Sequence, residues 1–264
     1  MSEGLKSEGQ GLYQTELMME KEKVIEVKDL MKRFGAFVAN DHLSFDVYKG
    51  EIFGFLGANG AGKTTAIRIL CGLSRPTSGK VTVAGISASR PEEIKKRIGY
   101  MSQRFSLYED LTVSENIELY GGIYGMTMNE IRPRREQLLE KLSFSRYGDT
   151  LIRSLPLGLR QKLAFAVAVF HDPEIVFLDE PTSGVDPITR RQFWEMIYET
   201  ASRGITVFVT THYMDEAEYC DRVTIMSEGR IVALDTPAAL REQYGAQSVE
   251  ELFVKIARPK TETV

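Results

Sequence analysis

Hydrophobic and polar residues alternate in two stretches near the start of the chain, at 25–30 and 43–47. Such alternation is typical of strands with one buried face, so both stretches are predicted to be half-buried antiparallel strands. The pattern changes at 52–56, where apolar residues are nearly continuous. A strand that is apolar on both faces belongs in the middle of a covered parallel sheet.

Strand-like apolar runs return later in the chain, at 175–178, 207–210 and 223–226, with helical patterns between them. The region 104–157 lacks β-branched runs, is rich in helix formers and includes an amphipathic stretch at 131–142. Alternating strands and helices indicate an α/β fold with a mostly parallel sheet. The early alternating strands then form an antiparallel β subdomain, and the region 104–157 is an inserted α-helical subdomain.

A glycine-rich segment separates the strand at 52–56 from a helix-like stretch at 64–73. It fits the pattern G-x-x-x-x-G-K-[ST] with the residues Gly57, Ala58, Asn59, Gly60, Ala61, Gly62, Lys63 and Thr64. Inward-facing backbone N–H groups and the positive end of a helix dipole make such a loop a phosphate site. Lys63 is expected to reach the β- and γ-phosphates, and the Thr64 hydroxyl to ligate Mg²⁺. The motif alone indicates a nucleoside triphosphate and does not separate a kinase, a GTPase and a transporter ATPase.

Two carboxylates, Asp179 and Glu180, end the apolar run at 175–178. Ligands of open α/β sheets gather at the carboxyl ends of strands, so both side chains are expected beside the phosphate loop. Asp179 can hold Mg²⁺ through water, while Glu180 faces an attacking water as general base. The alternative is a charged strand end that enters a turn at Pro181, which a phosphate loop in the same chain disfavours.

Composition narrows the function further. The chain has 264 residues with 33 basic and 37 acidic side chains, a net charge of −4 that argues against a dedicated nucleic-acid binder. No stretch approaches the roughly 18 apolar residues that cross a bilayer, so a role at a membrane is expected to run through a partner. Two cysteines in this length fit a reducing cytosol. Residues 1–23 are predicted to be a flexible polar extension and 241–264 a C-terminal tail.

Further motifs follow in the order found in the nucleotide-binding domain of ABC transporters, which the chain resembles from about residue 24 to 240. Gln103 lies in a segment that resembles the Q-loop, Ser183 and Asp186 in one that resembles the D-loop, and His212 resembles the switch histidine. The resemblance implies a P-loop NTPase with a RecA-like sheet that binds ATP and Mg²⁺. It also implies that Gln103 contacts Mg²⁺ and that ATP meets two further residues, Phe34, which stacks on adenine, and Thr65.

The chain departs from the family at the signature sequence, which is normally Leu-Ser-Gly-Gly-Gln. The residues here are Leu155, Pro156, Leu157, Gly158 and Leu159. Proline supplies neither a hydroxyl nor an N–H, and a leucine side chain crowds the close approach that glycine permits. The signature offered across a cassette dimer is therefore expected to be weakened. Similar sequences occur in the second cassette of YbhF-like tandem-cassette multidrug exporters, which the rest of the chain also resembles.

The resemblance implies an ATP-hydrolysing motor subunit of an ABC transporter, with export of drug-like or lipid-like molecules favoured. A second cassette, identical or different, would close with it over ATP, and a membrane permease on a separate chain would hold it at the cytoplasmic face of the cell membrane. The apolar cluster Phe105, Leu107 and Tyr108 is predicted to be exposed and to contact that permease.

Other functional classes remain to be weighed. A cassette-type translation factor that acts on ribosomes is the alternative, although it would usually carry two cassettes and a charged linker. A DNA-repair ATPase of the SMC type would need long heptad arms between Gln103 and Leu155, an interval that is too short here. A small-molecule kinase or a GTPase would need neither a D-loop nor a signature.

Overall fold

The computed structural model describes residues 21–103 and 107–257. The strands of this part are β1 Lys23–Phe34, β2 Phe37–Tyr48, β3 Ile52–Gly57, β4 Ser78–Val83, β5 Ile86–Ser87, β6 Ile98–Met101, β7 Ile175–Asp179, β8 Thr206–Thr211, β9 Arg222–Ser227 and β10 Arg230–Asp235. The helices are α1 Lys63–Leu70, α2 Pro91–Lys95, α3 Val113–Ile123, α4 Met128–Lys141, α5 Leu157–Ala168, α6 Pro187–Ser202, α7 Pro237–Tyr244 and α8 Val249–Ala257. The predicted extension 1–23 lies almost wholly outside the described residues.

The smaller sheet is antiparallel and has the order β2-β1-β4-β5. Val27 of β1 pairs with Phe45 of β2 on one side and with Val81 of β4 on the other. These residues point to the buried face, while their polar neighbours face outward. The two alternating stretches are therefore the antiparallel strands that the sequence predicts.

The larger sheet has the order β10-β9-β3-β8-β7-β6. Strand β3 lies between β8 and β9, pairs in parallel with both, and has every residue buried. Strands β6 and β7 extend the parallel arrangement, and β10 runs antiparallel to β9. The prediction of a mostly parallel sheet is confirmed, with the carboxyl ends of β3, β7 and β8 side by side at one edge.

The core lies on both faces of this sheet. One face packs against the smaller sheet and α1 through a cluster of phenylalanines, Phe45, Phe53, Phe55, Phe177 and Phe208. The opposite face packs against α5, α6 and α8, and residues such as Leu56, Leu178 and Val209 contribute to it. Successive residues of β3, β7 and β8 point to opposite faces, so each strand supplies both cores.

Helices α3 and α4 follow β6 and fall within the predicted insertion. Helix α3 begins with a capping box in which the Thr112 hydroxyl accepts from the Glu115 N–H and the Glu115 carboxylate accepts from the Thr112 N–H. Helix α5 then returns to the sheet, where a Cβ on Gly99 of β6 would stand 1.9 Å from the Ala168 carbonyl oxygen. Only glycine permits that close approach, and it fixes the end of α5 against β6.

The described chain after residue 240 also packs on the core. Val249 and Leu252 of α8 are buried in the cluster beside β9. The packed structure therefore continues past 240, where the predicted domain gives way to a tail. The domain boundaries themselves stay predictions. Among the helices of the described residues, none is both long and apolar enough to span a membrane.

Candidate functional site

The phosphate loop joins β3 to α1, as its sequence predicts. Gly62 is the residue before α1 and has a φ of 100°, which side-chain-bearing residues avoid. A Cβ there would stand 2.3 Å from the Ala39 carbonyl oxygen, so both the backbone conformation and the lack of space require glycine at this position. Asn40 of β2, fully buried, donates to the Gly62 carbonyl oxygen at 3.1 Å. The smaller sheet thus braces the loop at the point where the helix begins.

Lys63 has 4% of its side chain exposed and points back into the loop. Its Nζ donates to the Gly57 carbonyl oxygen at 2.8 Å and to that of Ala58 at 3.1 Å. The same nitrogen lies 3.3 Å from Oε1 of Glu180. The ammonium therefore stands between the loop backbone and the carboxylate at the end of β7.

Asp179 ends β7 beside α1. Its Oδ1 accepts from the Thr210 hydroxyl at 2.7 Å and lies 3.4 Å from the Thr64 hydroxyl. Burial raises the pKa of this carboxyl, against the two threonine hydrogen bonds, which lower it. Its Oδ2 is buried and has no hydrogen-bond partner. A free carboxylate oxygen beside a hydroxyl fits Mg²⁺, which is bound through one or two carboxylates together with substrate phosphates.

Thr210 is a site residue that the sequence reasoning missed. It pairs with Asp179 in the register of β7 and β8, and its hydroxyl also accepts from the Glu180 N–H at 3.0 Å. The sequence offered one signal for this residue: a threonine near the end of a strand, two positions before the candidate histidine. The neighbouring-strand order that gives it meaning cannot be seen in the sequence.

Glu180 is held by three groups from three different segments. Besides Lys63 at Oε1, its Oε2 accepts from Nε2 of Gln103 at 2.9 Å and lies 3.1 Å from Nδ1 of His212. The structure thus brings together the candidate base, the Q-loop glutamine and the switch histidine. Because Glu180 is 93% buried, the carboxylate is exposed to little competing water.

The backbone of Glu180 is strained. Its φ of 52° lies in the left-handed region, which is costly for a residue with a β-carbon. Such outliers persist where the surroundings determine the conformation, and they cluster at functional sites. The Glu180 N–H is held by both the hydroxyl and the carbonyl oxygen of Thr210, at 3.0 and 3.1 Å. This pair of hydrogen bonds turns the side chain away from β7 and toward Lys63.

A cavity of about 340 Å³ opens over the phosphate loop. Its wall is built from four parts of the chain, with Phe37, Ala39, Asn59, Gly60, Gly62, Lys63, Thr64, Thr65, Gln103 and Glu180 as lining residues. The aromatic ring in this wall belongs to Phe37, whereas Phe34 lies across the hairpin turn. Phe34 is exposed and has the Lys32 ammonium 4.9 Å from its ring centre. Phe37 is thus a second candidate for adenine stacking that the sequence reasoning missed.

The signature and D-loop residues contact one another. Pro156 precedes α5, Leu157 is 42% exposed, and a Cβ on Gly158 would stand 2.8 Å from the Thr189 methyl group. Gln161 of α5 donates to the Ser183 carbonyl oxygen at 3.1 Å. In the described structure α5 is therefore tied to the D-loop segment and to α6.

Asp186 has a local structural task. Its carboxylate accepts from the Ile188 and Thr189 N–H groups, both at 3.0 Å, and from the Thr189 hydroxyl at 2.6 Å. It is thus the N-cap of α6, and the Thr189 hydrogen bonds hold the pKa of its carboxyl below the usual value. A role of Asp186 across a dimer stays a prediction.

The predicted exposed cluster after Gln103 is only partly exposed. Phe105 lies outside the described residues, and Tyr108 is exposed. Leu107 is buried in the core beside α3, so its inclusion in an exposed cluster was wrong. An apolar residue directly after the Q-loop serves the packing of the helical region rather than the surface.

Comparison with known proteins supports the resemblance seen in the motifs. The sequence pattern of the ABC transporter family matches residues 40–183. A probable multidrug ABC transporter ATP-binding protein, YbhF of Escherichia coli K12, is 46% identical over 241 residues, which are 89% of this chain and 42% of that protein. The chain thus spans less than half of that relative. A Nod factor export ATP-binding protein I of Burkholderia lata is 37% identical over 87% of this chain and 76% of its own.

Solved structures agree with the fold. An ATP-binding subunit of an ABC transporter superposes with a TM-score of 0.81 and 31% identity, over 89% of this chain and all of the other. A dimeric ATP-binding cassette in a post-hydrolysis state, bound to ADP and Pi, gives a TM-score of 0.73 and 26% identity over 80% of this chain and 98% of its own. The P-loop NTPase fold and the likeness to YbhF are confirmed, while the second-cassette detail stays a prediction. The chain belongs to the ABC transporter family, as one of its ATP-binding cassettes.

Proposed function

We propose that this chain hydrolyses ATP as the motor subunit of an exporter. The observation that carries the proposal is the arrangement of Glu180, whose carboxylate is held by Lys63, Gln103 and His212 one residue beyond Asp179. A buried carboxylate at the mouth of a phosphate loop is placed to take a proton from a water that attacks the γ-phosphate. The cassette solved with ADP and Pi shows that a relative of this fold has passed through hydrolysis.

The chain's own residues have distinct tasks in this scheme. The loop amides from Gly57 to Thr64 surround the phosphates, and Lys63 exchanges its carbonyl partners for β- and γ-phosphate oxygens. Glu180 orients the water, while Gln103 and His212 keep the carboxylate aimed at it. Lys63 leaves Glu180 for the phosphate during binding, which frees Oε1 of the carboxylate to accept the proton.

Thr64 and Asp179 are the residues that would hold Mg²⁺. The ion, when bound, neutralises the charge that develops on the β- and γ-phosphate oxygens. Thr64 offers its hydroxyl directly, and Asp179 offers the unpartnered Oδ2. Gln103, which here donates to Glu180, lines the same cavity as Thr64 and would also contact the ion when it is bound.

Substitution of Glu180 by glutamine tests the proposal. The amide keeps the shape of the carboxylate but cannot take a proton, so hydrolysis should fall by about 10²–10⁴-fold while ATP binding persists. The matched control is Glu174→Gln, at the opposite end of the same strand, where the side chain pairs with Arg97 at the surface. Hydrolysis is measured by phosphate release and binding by calorimetry on the same preparations.

Two outcomes would contradict the proposal. Wild-type hydrolysis in Glu180→Gln would remove this carboxylate from the reaction. Equal losses of hydrolysis in Glu180→Gln and Glu174→Gln would mean that replacing a glutamate at either end of β7 disturbs the sheet. Retained binding with lost hydrolysis, in the first variant alone, is the expected result.

Export of a drug-like or lipid-like molecule is proposed from the relatives. The matched proteins are named for multidrug transport, Nod factor export and daunorubicin resistance. In this proposal a membrane permease on another chain carries the substrate, and a second cassette completes the motor. The subunit then works as a peripheral protein on the cytoplasmic face of the cell membrane.

A groove beside the Q-loop strand is the proposed seat of the permease. It is a cavity of about 340 Å³ between the end of α1, helix α2, strand β6 and the end of α3. Ile123 is 60% exposed and Leu73 46% exposed at its rim, and the Tyr100 and Tyr124 rings line it. Exposed apolar side chains around a cavity are typical of protein–protein contacts. Because β6 continues toward Gln103, a helix seated there would press on the strand that leads to the site.

The substitution Ile123→Ser tests this seat. The variant should lose its association with membranes prepared from its own host, because the most exposed apolar side chain of the groove is removed. Val254→Ser on α8, another exposed residue with a branched side chain, is the control and should keep the association. The ATPase of the isolated chain should be the same in both variants. Normal association of Ile123→Ser would place the permease elsewhere.

A further inference from the structure

A buried carboxylate, Glu216, lies outside the site described above. It belongs to the 3-10 turn Met214–Tyr219, which follows β8 and His212. The side chain is fully buried, and its Oε1 accepts from the Thr182 hydroxyl at 2.6 Å. Thr182 is itself buried and stands two residues after Glu180. The hydrogen bond thus joins the segment behind the candidate base to the segment behind the candidate switch histidine.

A cation from α6 approaches the same carboxylate. Nε of Arg190 lies 3.7 Å from Oε1 of Glu216, and its guanidinium centre stands 4.2 Å from the ring centre of Tyr213. Tyr213 in turn packs on the His212 ring, with 4.2 Å between ring centres. A flat guanidinium over an aromatic ring is a favourable contact that a lysine reproduces poorly.

These contacts close a ring that begins and ends at Glu180. The ring passes through Thr182, Glu216, Arg190, Tyr213 and His212, and His212 returns to Glu180 with 3.1 Å between Nδ1 and Oε2. Four links, Thr182–Glu216, Glu216–Arg190, Arg190–Tyr213 and His212–Glu180, are side-chain contacts between different segments, whereas Glu180 and Thr182 share one backbone segment and Tyr213 directly follows His212. The position of His212 relative to Glu180 is therefore set from two sides, through the paired backbones of β7 and β8 and through this ring.

We infer that Glu216 and Arg190 are positioning residues that fix the distance between His212 and Glu180 during ATP hydrolysis. The inference rests on the proposed function of that pair. Two observations show that the ring is not simply core packing. Oε2 of Glu216 is buried without a hydrogen-bond partner, and Nε of Arg190 likewise has none. A buried carboxylate that leaves hydrogen-bonding capacity unused is costly for stability, and such groups are expected where side chains shift during function.

The ring also joins elements that must move together. Arg190 is in the first turn of α6, next to the D-loop segment with Ser183, and Thr182 lies on the other side of that segment. A displacement of the D-loop by a second cassette would therefore reach Glu216 from both ends. Through Tyr213 it would shift His212 without any contact between the second cassette and His212.

The test uses the full chain with Glu216→Gln, which keeps the oxygen that accepts from Thr182 but removes the buried charge near Nε of Arg190, while Asp215 stays paired with Nη1 of the same arginine. A displaced catalytic pair should lower kcat by about ten- to a hundredfold, while KM for ATP stays within about twofold. Glu218→Gln is the matched control on the same turn, because that side chain is half-exposed and pairs with Arg241 at the surface. Arg190→Lys, on a half-buried residue, tests the ring from the opposite side and serves if Glu216→Gln does not fold.

Combination with His212→Ala distinguishes positioning from general stability. In single turnovers, Glu216→Gln should lower the rate in the wild-type background and have no further effect once His212 is gone. An equal loss in both backgrounds would overturn the inference, as would a normal kcat in Glu216→Gln and Arg190→Lys. If Glu180→Gln also hydrolyses ATP normally, the proposed function itself fails. If Glu180→Gln is inactive and the ring variants are normal, only this inference fails.

The single tryptophan offers a second readout. Trp194 lies one turn after Arg190 on α6 and packs on Tyr219 with 5.0 Å between ring centres. Movement of the turn Met214–Tyr219 against α6 would change its surroundings. ATP should alter Trp194 fluorescence in the wild-type chain and in Glu218→Gln, and the change should be lost in Glu216→Gln. A wild-type response in Glu216→Gln would mean that the turn and α6 move without the ring.

Discussion

The Lys63 ammonium contacts both the phosphate-loop backbone and the carboxylate of Glu180. Its ammonium holds the carbonyl oxygens of Gly57 and Ala58 and faces Glu180, so three acceptors surround one buried cation. A phosphate oxygen that enters the loop offers more negative charge than either carbonyl. A bound phosphate should therefore attract the Lys63 ammonium away from Glu180, which would then keep Gln103 and His212 as its partners. In the proposed scheme, the Lys63 side chain holds the loop before binding and the phosphates afterwards.

The adenine contact can be assigned by comparison of two aromatic residues. The family resemblance favours Phe34, while the cavity wall contains Phe37, and the two are paired across the hairpin. Of Phe34→Leu and Phe37→Leu, the variant that removes the stacking ring should weaken ATP binding more than binding of inorganic triphosphate, and the other should not. The residue that stacks on the base should show a loss of about 1–3 kcal/mol. Calorimetry with both ligands measures this, and unchanged ATP affinity in both variants would exclude the hairpin from base binding.

Most residues around the cavity could be expected from the sequence because each follows a strand or a glycine-rich turn. Lys63, Asp179, Glu180 and His212 stand at such positions, and the structure brings them within a few ångströms of one another. Thr210 escaped prediction because its value depends on which strand lies beside β7. The left-handed φ of Glu180 escaped as well, since it results from hydrogen bonds across the sheet rather than from local preference.

At the scale of elements, the end of α5 is joined to the Q-loop strand β6. His171 follows α5, lies with its Nε2 3.2 Å from the Ile98 carbonyl oxygen, and stacks on Tyr124 with 3.5 Å between ring centres. Because an imidazole nitrogen opposite a carbonyl oxygen must carry the hydrogen, Nε2 is the donor. This contact, with the tight approach of Gly99 to Ala168, links the helix that bears the signature to the strand that leads to Gln103.

Low pH should destabilise the contact that His171 makes between α5 and β6. Burial lowers the pKa of His171 from 6.5 to about 4, against the Ile98 hydrogen bond, which raises it. Between these values the unfolded chain binds the proton and the folded chain does not, so stability falls as pH falls through that window. His171→Phe keeps a ring on Tyr124 and removes the titration. Its melting temperature should drop less between pH 7 and pH 5 than that of the wild-type chain.

The control for this comparison is His42→Asn. His42 is exposed and has a φ of 55°, a conformation that asparagine accepts. This variant should keep the wild-type loss of stability in acid. If His171→Phe and the wild-type chain lose the same number of degrees, the buried histidine does not contribute to acid sensitivity.

Strands and helices differ in how well the sequence indicates them. Strands β1, β2, β3 and β7 have long apolar or alternating patterns, and each was predicted close to its observed place. Strand β4 was missed because its first half is polar and exposed and includes Gly79. That glycine lies against the backbone of β1, where a Cβ would stand 2.3 Å from the Asp29 carbonyl oxygen. The requirement is tertiary, and a local pattern does not reveal it.

At the scale of the whole molecule, the fold gathers every strand-end residue of the site at one edge of the larger sheet. The signature residues lie elsewhere, at the start of α5 beside α6, and contact the D-loop segment. Because no signature residue lines the described cavity over the phosphate loop, we expect the signature helix to serve a γ-phosphate on a second cassette. Each complete site in the proposed motor therefore combines the strand-end residues of one chain with the helix start of another.

The signature of this chain makes the two sites of such a pair unequal when the partner has an intact signature. The start of α5 has Pro156 as its N-cap residue, without a side-chain cap, and the exposed Leu157 in place of a glycine. A donor lost to a charged phosphate is worth about 1.5–3 kcal/mol, enough to slow a step by about ten- to a hundredfold. Lys63, Asp179, Glu180 and His212 are in place here, so we expect this chain's own phosphate site to work when the partner supplies good donors. The expected arrangement is one competent and one impaired site.

The double substitution Pro156→Ser with Leu157→Gly tests this expectation in the isolated chain, where both sites of a homodimer are impaired. Restored donors should raise the ATPase rate by about tenfold or more. The control is Leu159→Gln. It restores the family residue at the last signature position, two residues after Leu157, and leaves Pro156 and Leu157 unchanged. Dimer formation with ATP is verified by light scattering, because a rate measured on monomers would report nothing about the signature. An unchanged rate in a dimerising preparation of the double variant would mean that Gly158 and the helix N-terminus stabilise the γ-phosphate sufficiently, and the two sites would then be equivalent.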